Sequence, residues 1–229
     1  MPADIHDLPL PDAVLFDLDG TLIDTVETRI AAWLDVFAEI GVRTDHATLA
    51  PLMGLDGRRL AREVSAADGR TIDDDEAEAI DHRSGELYNR RNTSPKPLPG
   101  VRELVAAIEA RGLRWSIATS SRKAQVASSV AALGLDREPA ITDASHVEHA
   151  KPDPELLLLA ARELGVPPDR CWYVGDSTWD MLAARAAGMT PIAVLAGSAV
   201  DEATLGEAGA ATVVGSLLDV AAALEAGPG

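Results

Sequence analysis

The sequence predicts an α/β protein with a doubly wound parallel-sheet core and a small inserted α-helical domain. Two observations support this fold class. After residue 95, short apolar runs alternate with segments whose apolar residues recur at helical spacing, which is typical of parallel strands joined by crossover helices. Between the first apolar run and residue 95, helical patterns instead follow one another with no strand between them.

The core elements follow in chain order from this alternation. Strands are predicted at residues 13–17, 114–119, 139–142, 171–175, 191–195 and 212–214. Helices are predicted at residues 101–111, 123–133, 154–164, 179–187, 200–208 and 216–225. Because crossovers between parallel strands are right-handed, these elements should form a Rossmann-like sheet with helices on both faces.

The inserted segment is predicted to be a helical cap. Its first helix, residues 25–41, carries Ile30, Trp33 and Phe37 at helical spacing, and Gly41 provides a stop signal. Further helices are predicted at residues 47–51, 57–67 and 73–91, before a linker at 92–100 returns the chain to the core. We therefore expect a core of residues 1–23 and 95–229 and a cap of residues 24–94.

Composition and charge narrow the possible classes of function. The 229 residues are 47% hydrophobic, which suits a packed core, and the formal net charge is −17. A charge of this sign disfavours nucleic acid and anionic membranes as partners, although it does not exclude a small phosphate ester. No apolar stretch approaches the roughly 20 residues of a membrane helix, and residues 1–12 lack signal-peptide features. We expect a cytoplasmic enzyme, monomeric or homodimeric.

The most informative motif is Asp17-Leu18-Asp19-Gly20-Thr21, which directly follows the apolar run at residues 13–16. A carboxylate at the end of a rigid strand can be aimed at a phosphorus atom, and a second acid beside it can carry protons. Glycine lets the backbone approach an anion closely and offer amide donors. The alternative is an Asp-rich turn that only closes the strand.

Polar residues that suit the same chemistry lie near the ends of later strands. Their positions are Thr119, Ser120, Lys151, Asp176 and Asp180. Hydroxyls and backbone amides can bind phosphate oxygens, an ammonium group can neutralise charge, and carboxylates suit Mg²⁺. Taken singly, these residues are better explained by an ST-turn, a solvated lysine and a helix capping box. Their joint order at the carboxyl edge of one sheet favours a phosphate site.

With these motifs in this order, the sequence resembles the haloacid dehalogenase-like hydrolase superfamily. Residues 17–21 match its first motif, Thr119 its second, Lys151 its third, and Asp176 with Asp180 its fourth. The insert between the first two motifs is similar to the small helical cap of one subgroup. That subgroup contains phosphoglycolate phosphatase and β-phosphoglucomutase.

The resemblance implies a Mg²⁺-dependent phosphatase that acts on a small phosphorylated metabolite, such as phosphoglycolate or a sugar phosphate. It implies that Asp17 is the nucleophile that forms an aspartyl phosphate and that Asp19 is the general acid and base. Mg²⁺ would be held by Asp17, the main-chain carbonyl of Asp19 and Asp176, while Asp180 would position Lys151. The groups that would bind the phosphate are Gly20, Thr21, Thr119, Ser120 and Lys151.

Other activities are kept as alternatives. A phosphomutase of the β-phosphoglucomutase type is the nearest, because Trp33 matches an aromatic residue of mutases. Arg29, however, stands where they have a histidine, and Thr21 departs from their first motif. Asp19 disfavours dehalogenase chemistry, and the lack of any lysine before Lys96 disfavours phosphonate hydrolysis through a Schiff base. An alternative of another class is a non-catalytic phosphate-binding or phospho-accepting regulatory protein.

Three arginines of the predicted cap are candidate substrate contacts. Arg58, Arg59 and Arg62 lie on the helix predicted at residues 57–67 and could present a basic face to a carboxylate or a second phosphate. A solvated helix face is the alternative, and it is the more usual environment of arginine. The sequence therefore favours the solvated face.

Overall fold

The computed structural model describes residues 3–226, apart from the side chain at position 124. Its centre is a six-stranded sheet in which every pair of neighbouring strands is parallel. The strands are β1 (Ala13–Phe16), β2 (Arg114–Thr119), β3 (Ile141–Asp143), β4 (Cys171–Gly175), β5 (Thr190–Val194) and β6 (Thr212–Val214). Their order is β3-β2-β1-β4-β5-β6, which confirms the predicted doubly wound sheet. The chain therefore reverses its direction of winding between β1 and β4, where such sheets bind ligands.

Ten helices accompany the sheet in residues 3–226. Four of them follow β1 with no strand between them: α1 (Val26–Ile40), α2 (His46–Leu49), α3 (Gly57–Ala67) and α4 (Asp74–Arg91). Six alternate with the remaining strands: α5 (Val101–Ala110), α6 (Lys123–Ala132), α7 (Glu155–Leu164), α8 (Thr178–Ala187), α9 (Glu202–Glu207) and α10 (Leu217–Ala226). None of the helices in this part of the chain combines the length and apolar character needed to cross a bilayer.

Both faces of the sheet are buried, as strand β1 shows. Val14 and Phe16 pack on one side in a cluster that includes residues of α5 and α10. Ala13 and Leu15 pack on the other side with residues of α7 and α8. Because successive side chains of a strand point to opposite faces, a run of four buried apolar residues places β1 in the middle of a three-layer core.

Helices α1 to α4 pack around an apolar cluster of their own. Trp33 and Phe37 of α1 stack with their ring centroids 5.6 Å apart, and the same cluster contains Leu60 of α3 and Ile80 of α4. Asp73 caps α4, accepting a hydrogen bond from the backbone of Glu76. These helices form the region predicted as the cap, whose limits at residues 24 and 94 stay a prediction.

The element boundaries match the prediction or differ from it by one or two residues. Strand β1 ends at Phe16, so that Asp17 starts the loop, although its N–H still donates to the carbonyl oxygen of Val174 at 2.9 Å. Helix α9 starts at Glu202 rather than at residue 200, because Asp201 acts as its N-cap and accepts from the backbone of Thr204. Hydrophobic patterns locate an element but not its cap.

Candidate active site

The carboxyl ends of β1, β2 and β4 bring the predicted site residues together. Phe16, the last residue of β1, pairs with Ile117 of β2 on one side and Val174 of β4 on the other. Asp17 follows Phe16 directly and is 3% exposed. Thr119 ends β2, and Asp176 follows β4. The parallel register therefore converts three distant positions of the chain into one buried polar site.

The turn after Asp17 is fitted closely against Asp176. Gly20 has a φ of +84°, and a Cβ atom at this position would lie 2.2 Å from Asp176 Oδ2. Only glycine satisfies both the left-handed backbone and the close approach. Thr21 Oγ1 donates to Asp176 Oδ1 at 2.8 Å. Gly20 and Thr21 thus lie against Asp176 and hold its carboxylate in place. Neither residue lines the cavity that is described below.

Lys151 is the centre of a fully buried ion cluster. Its side chain is 0% exposed, and Nζ donates to Asp17 Oδ1 at 2.8 Å, to Asp180 Oδ1 at 2.7 Å and to the hydroxyl of Tyr173 at 3.1 Å. Burial alone would lower the pKa of Lys151, but the charges of Asp17 and Asp180 outweigh it and raise the pKa above its usual value. Lys151 is therefore a fixed positive charge beside Asp17.

Asp180 orients Lys151 and also caps a helix. Its Oδ2 accepts from the backbone N–H of Ser177 at 3.0 Å and from Ser177 Oγ at 2.6 Å, which is the capping box of α8. Its Oδ1 faces Lys151 and the hydroxyl of Tyr173. Asp180 therefore caps the helix with one carboxylate oxygen and binds Lys151 with the other.

The site holds three closely spaced buried carboxyl groups beside a single lysine, Lys151. Carboxylate oxygens of Asp17, Asp176 and Asp180 all lie within 4.8 Å of one another. Burial raises the pKa of Asp17 to about 7, against the opposing effect of Lys151, and it raises the pKa of Asp176 well above its usual value. Buried carboxylates at this spacing are the donor set that suits a hard divalent cation, so these residues fit Mg²⁺.

The side chain of Asp19 is directed away from this cluster, toward four hydrogen-bond donors. Oδ2 accepts from Arg29 Nη2 at 2.7 Å and from Ser121 Oγ at 2.9 Å. Oδ1 accepts from Thr25 Oγ1 at 2.6 Å and from the Tyr88 hydroxyl at 3.1 Å. Burial acts to raise the pKa of Asp19, but Arg29 and the other donors hold it below its usual value.

Tyr88 and Arg29 connect this carboxylate to the helical cap. The Arg29 guanidinium lies over the Tyr88 ring, 3.8 Å from its centroid. Tyr88 is 1% exposed, and its hydroxyl accepts from Asn92 Nδ2 at 2.8 Å. In the sequence, Arg29 stood out only by comparison with mutases. Tyr88 did not stand out, because nothing in the sequence distinguishes a tyrosine that contacts a functional site from one that packs in the apolar core.

A cavity of about 60 Å³ lies between the sheet edge and the cap, with room for a few water molecules. The predicted site residues that line it are Asp17, Asp19, Thr119, Ser120, Lys151 and Asp176. Thr119 is 1% exposed and its Oγ1 accepts from the backbone of Ser121. These side chains therefore share one space at the edge of the sheet.

The loop between α2 and α3 forms one wall of this cavity, with Met53, Gly54 and Leu55. Ser120 Oγ donates to the carbonyl oxygen of Gly54 at 3.2 Å. The backbone N–H of Asp56 donates to the carbonyl oxygen of Lys151 at 3.1 Å. Trp179 Nε1 donates to the carbonyl oxygen of Pro51 at 2.9 Å. Three contacts to backbone groups thus hold the loop on the core.

The cap arginines Arg58, Arg59 and Arg62 lie outside the cavity. Each pairs with an acid: Arg58 with Asp56 at 3.4 Å, Arg59 with Glu63 at 2.8 Å and Arg62 with Asp74 at 2.5 Å. Arg59 also lies over the Trp179 ring, 5.6 Å from its centroid. Their charges are balanced at the surface and do not point to a substrate anion.

Comparison with known proteins agrees with this site. Residues 14–194 match the family described as haloacid dehalogenase-like hydrolase. The chain is 34% identical to the N-acetylmuramic acid 6-phosphate phosphatase of Pseudomonas aeruginosa, over 80% of each chain. It is 33% identical to the fructose-1-phosphate phosphatase YqaB of Escherichia coli, over 79% of this chain and 95% of the relative.

Two further matches define the extent of the similarity. A solved structure of a hydrolase from Pseudomonas syringae superposes with a TM-score of 0.88 at 33% identity, covering 95% of this chain and 99% of the other. The chain spans only 19% of the length of the Arabidopsis thaliana protein SUPPRESSOR OF QUENCHING 1, chloroplastic, to which it is 34% identical. The similarity thus covers both the sheet and the inserted helices.

Proposed function

Because the chain belongs to the haloacid dehalogenase-like hydrolase family, we propose that it is a cytoplasmic, Mg²⁺-dependent phosphatase that hydrolyses a small phosphorylated metabolite through an aspartyl phosphate. One observation carries the proposal: Asp17, Lys151 and Asp176 meet at the edge of the sheet, where all three line one cavity. The phosphatase activities of the two relatives described above support the reaction class.

In the proposed mechanism, Asp17 attacks phosphorus and the alcohol leaves, so that the phosphoryl group is carried on a carboxylate oxygen. Lys151, fixed 2.8 Å from Asp17, neutralises charge on the phosphoryl oxygens as the bond forms. Thr119 and Ser120 offer hydroxyls on the same side of the cavity. Water then attacks the same phosphorus, which releases inorganic phosphate and regenerates Asp17.

Asp19 is the group proposed to move protons in both half-reactions. It protonates the leaving alkoxide in the first and accepts a proton from the attacking water in the second. The donors around it, Arg29 among them, favour the ionised form that the second step requires, so the first step starts from the minor, protonated form of Asp19. Because Arg29 and Tyr88 belong to cap helices, closure of the cap is the event that would place Asp19 correctly.

The residues proposed to hold Mg²⁺ are Asp17, Asp176 and the main-chain carbonyl of Asp19. When bound, the ion supplies positive charge that offsets the repulsion between a carboxylate nucleophile and a phosphate dianion. Thr21 and Gly20 keep Asp176 in position for this role. Asp180 keeps Lys151 in place.

A phosphomutase stays the alternative activity. Arg29 donates to Asp19 at the position where mutases have a histidine. An assay that follows both phosphate release and isomerisation of a sugar phosphate separates the two activities. We expect phosphate release that stops on chelation of divalent cations and returns with Mg²⁺, and no isomer. Isomerisation without net phosphate release, or full activity after chelation, contradicts the proposal.

The nucleophile is tested by Asp17→Asn, with Asp75→Asn as its matched control. Asp75 is an exposed acid in the first turn of α4, so the control makes the same change of charge far from the cavity. We expect Asp17→Asn to abolish phosphate release with folding retained, and Asp75→Asn to behave as the wild type.

A further inference from the structure

The cavity is lined by more acids than cations, and this excess of negative charge affects which organic group of a substrate can bind there. Among the described residues, the acids lining it are Asp17, Asp19, Asp81 and Asp176, and the cations are Arg29 and Lys151. Lys151 is bound by Asp17 and Asp180, and Arg29 is bound by Asp19. The charge of each cation of the lining is therefore already paired with an acid, although Arg29 Nε has no hydrogen-bond partner, and a second anion on the substrate would need a further positive charge.

Asp81 is the acid of the lining that the proposed mechanism does not use. It lies on α4, its side chain is 16% exposed, and Arg122 Nη2 lies 3.4 Å from its Oδ2. Arg122 makes a shorter contact of 2.7 Å with Glu78. Arg122 is thus shared between two carboxylates, and it is not part of the cavity lining.

The local packing fixes the Asp81 carboxylate at the cavity. A Cβ atom at Gly57, the first residue of α3, would lie 1.9 Å from Asp81 Oδ1, so the carboxylate lies directly against the backbone of α3 and any larger residue at position 57 would displace it. Burial raises the pKa of Asp81 to about 6, which leaves the group ionised at neutral pH. A carboxylate held here can accept hydrogen bonds from substrate hydroxyls and repels a nearby anion.

The remaining wall of the cavity on the cap side is apolar. It consists of Val26, Trp33, Met53, Leu55 and Leu60. Gln125, on the core helix α6, adds a neutral amide. Such a lining suits a carbon skeleton with one hydroxyl-bearing edge and one apolar face.

We propose that Asp81 is a specificity-determining residue that selects phosphate monoesters of neutral polyhydroxy compounds and rejects those with a carboxylate or second phosphate close to the ester. This inference rests on the proposed phosphatase function. It favours a sugar or polyol phosphate over phosphoglycolate, and it concerns the atoms within the cavity, next to the phosphoryl group.

The test compares substrate pairs that differ in one group. Glycerol 3-phosphate and 3-phosphoglycerate differ only in a terminal CH₂OH or carboxylate, and glucitol 6-phosphate and 6-phosphogluconate differ in the same way. Phosphate release with Mg²⁺ gives kcat/KM for each compound. We expect the neutral member of each pair to be preferred by at least about tenfold in the wild-type enzyme.

Asp81→Asn tests the residue, with Asp75→Asn on the same helix as its matched control. The asparagine has the same shape without the charge, and Arg122 keeps its contact with Glu78. We expect the preference for the neutral member to fall to within about threefold in Asp81→Asn, mainly because hydrolysis of the anionic member becomes faster. Asp75→Asn should keep the wild-type preference.

The outcomes separate this inference from the proposed function. Equal wild-type efficiency on both members of each pair, or an unchanged preference in Asp81→Asn, overturns the role of Asp81 and leaves the phosphatase intact. Phosphate release from none of the four compounds, and from no other monoester of a wider panel, overturns the phosphatase function and the inference with it.

Discussion

Arg29 Nη2 lies 2.7 Å from Asp19 Oδ2, so that the first helix of the cap binds the second acid of the catalytic loop directly. The two residues are only ten positions apart, yet the contact joins α1 to the carboxyl edge of the sheet. The position and charge state of Asp19 therefore depend on the placement of α1, which carries Arg29.

Replacing Arg29 should change both the rate and the pH dependence. Because Arg29 holds the pKa of Asp19 down, Arg29→Gln should raise that pKa. The acid limb of the pH profile for hydrolysis of the aspartyl phosphate, the step in which Asp19 acts as the base, should then move upward, and kcat should fall by roughly tenfold to a hundredfold. Arg62→Gln is the control, because Arg62 is a half-buried arginine that pairs with Asp74 and does not line the cavity. A wild-type pH profile in Arg29→Gln would show that Asp19 does not depend on this contact.

Gly20→Ala should weaken the proposed metal site. The new methyl group would meet Asp176 Oδ2 at 2.2 Å and displace that carboxylate. We expect the Mg²⁺ concentration that gives half-maximal activity to rise by about tenfold to a hundredfold. Gly69→Ala is the matched control, because Gly69 has a similar φ of +79° and no atom within 4 Å of the added Cβ. If both variants respond to Mg²⁺ alike, backbone strain and not displacement of Asp176 is the cause.

Asp81→Asn should stabilise the protein in a pH-dependent way. Burial raises the pKa of Asp81 from 3.8 to about 6, so the native state binds the proton more tightly than the unfolded state. The contribution of Asp81 to the free energy of unfolding is therefore complete below about pH 4 and is lost as the pH rises through 6. Two pKa units correspond to about 3 kcal/mol.

Denaturant unfolding at several pH values measures this effect. The stability of Asp81→Asn relative to the wild type should increase between pH 4 and pH 7, whereas that of Asp75→Asn should stay level. A difference that is constant across this range would mean that Asp81 is not titrating in an environment distinct from water.

The fold was predictable because its signals are local. The four residues of β1 are all apolar and all buried, which marks a central strand without reference to the rest of the chain. Strand β3 was less well placed, at 139–142 instead of Ile141–Asp143, because a strand of three residues offers little pattern. The residues of the family motifs were found because they follow such strands.

The rest of the site was not predictable, because it depends on contacts between distant segments. Tyr88 reaches Asp19 across 69 positions, and Ser121 reaches it across 102. Asp81 is one acid among several on α4, and only the packing of α3 shows that it faces the cavity. No periodic pattern distinguishes such residues from their neighbours on the same helix.

The most direct measurement for the central claim is a rapid-quench experiment with substrate labelled in its phosphoryl group. After acid quenching and digestion, we expect a transient phosphoryl label on the peptide that contains Asp17. The label should form and disappear at rates consistent with kcat, and it should be absent in Asp17→Asn. A label on a different residue, or steady turnover with no labelled peptide at any time, would contradict the proposed aspartyl phosphate.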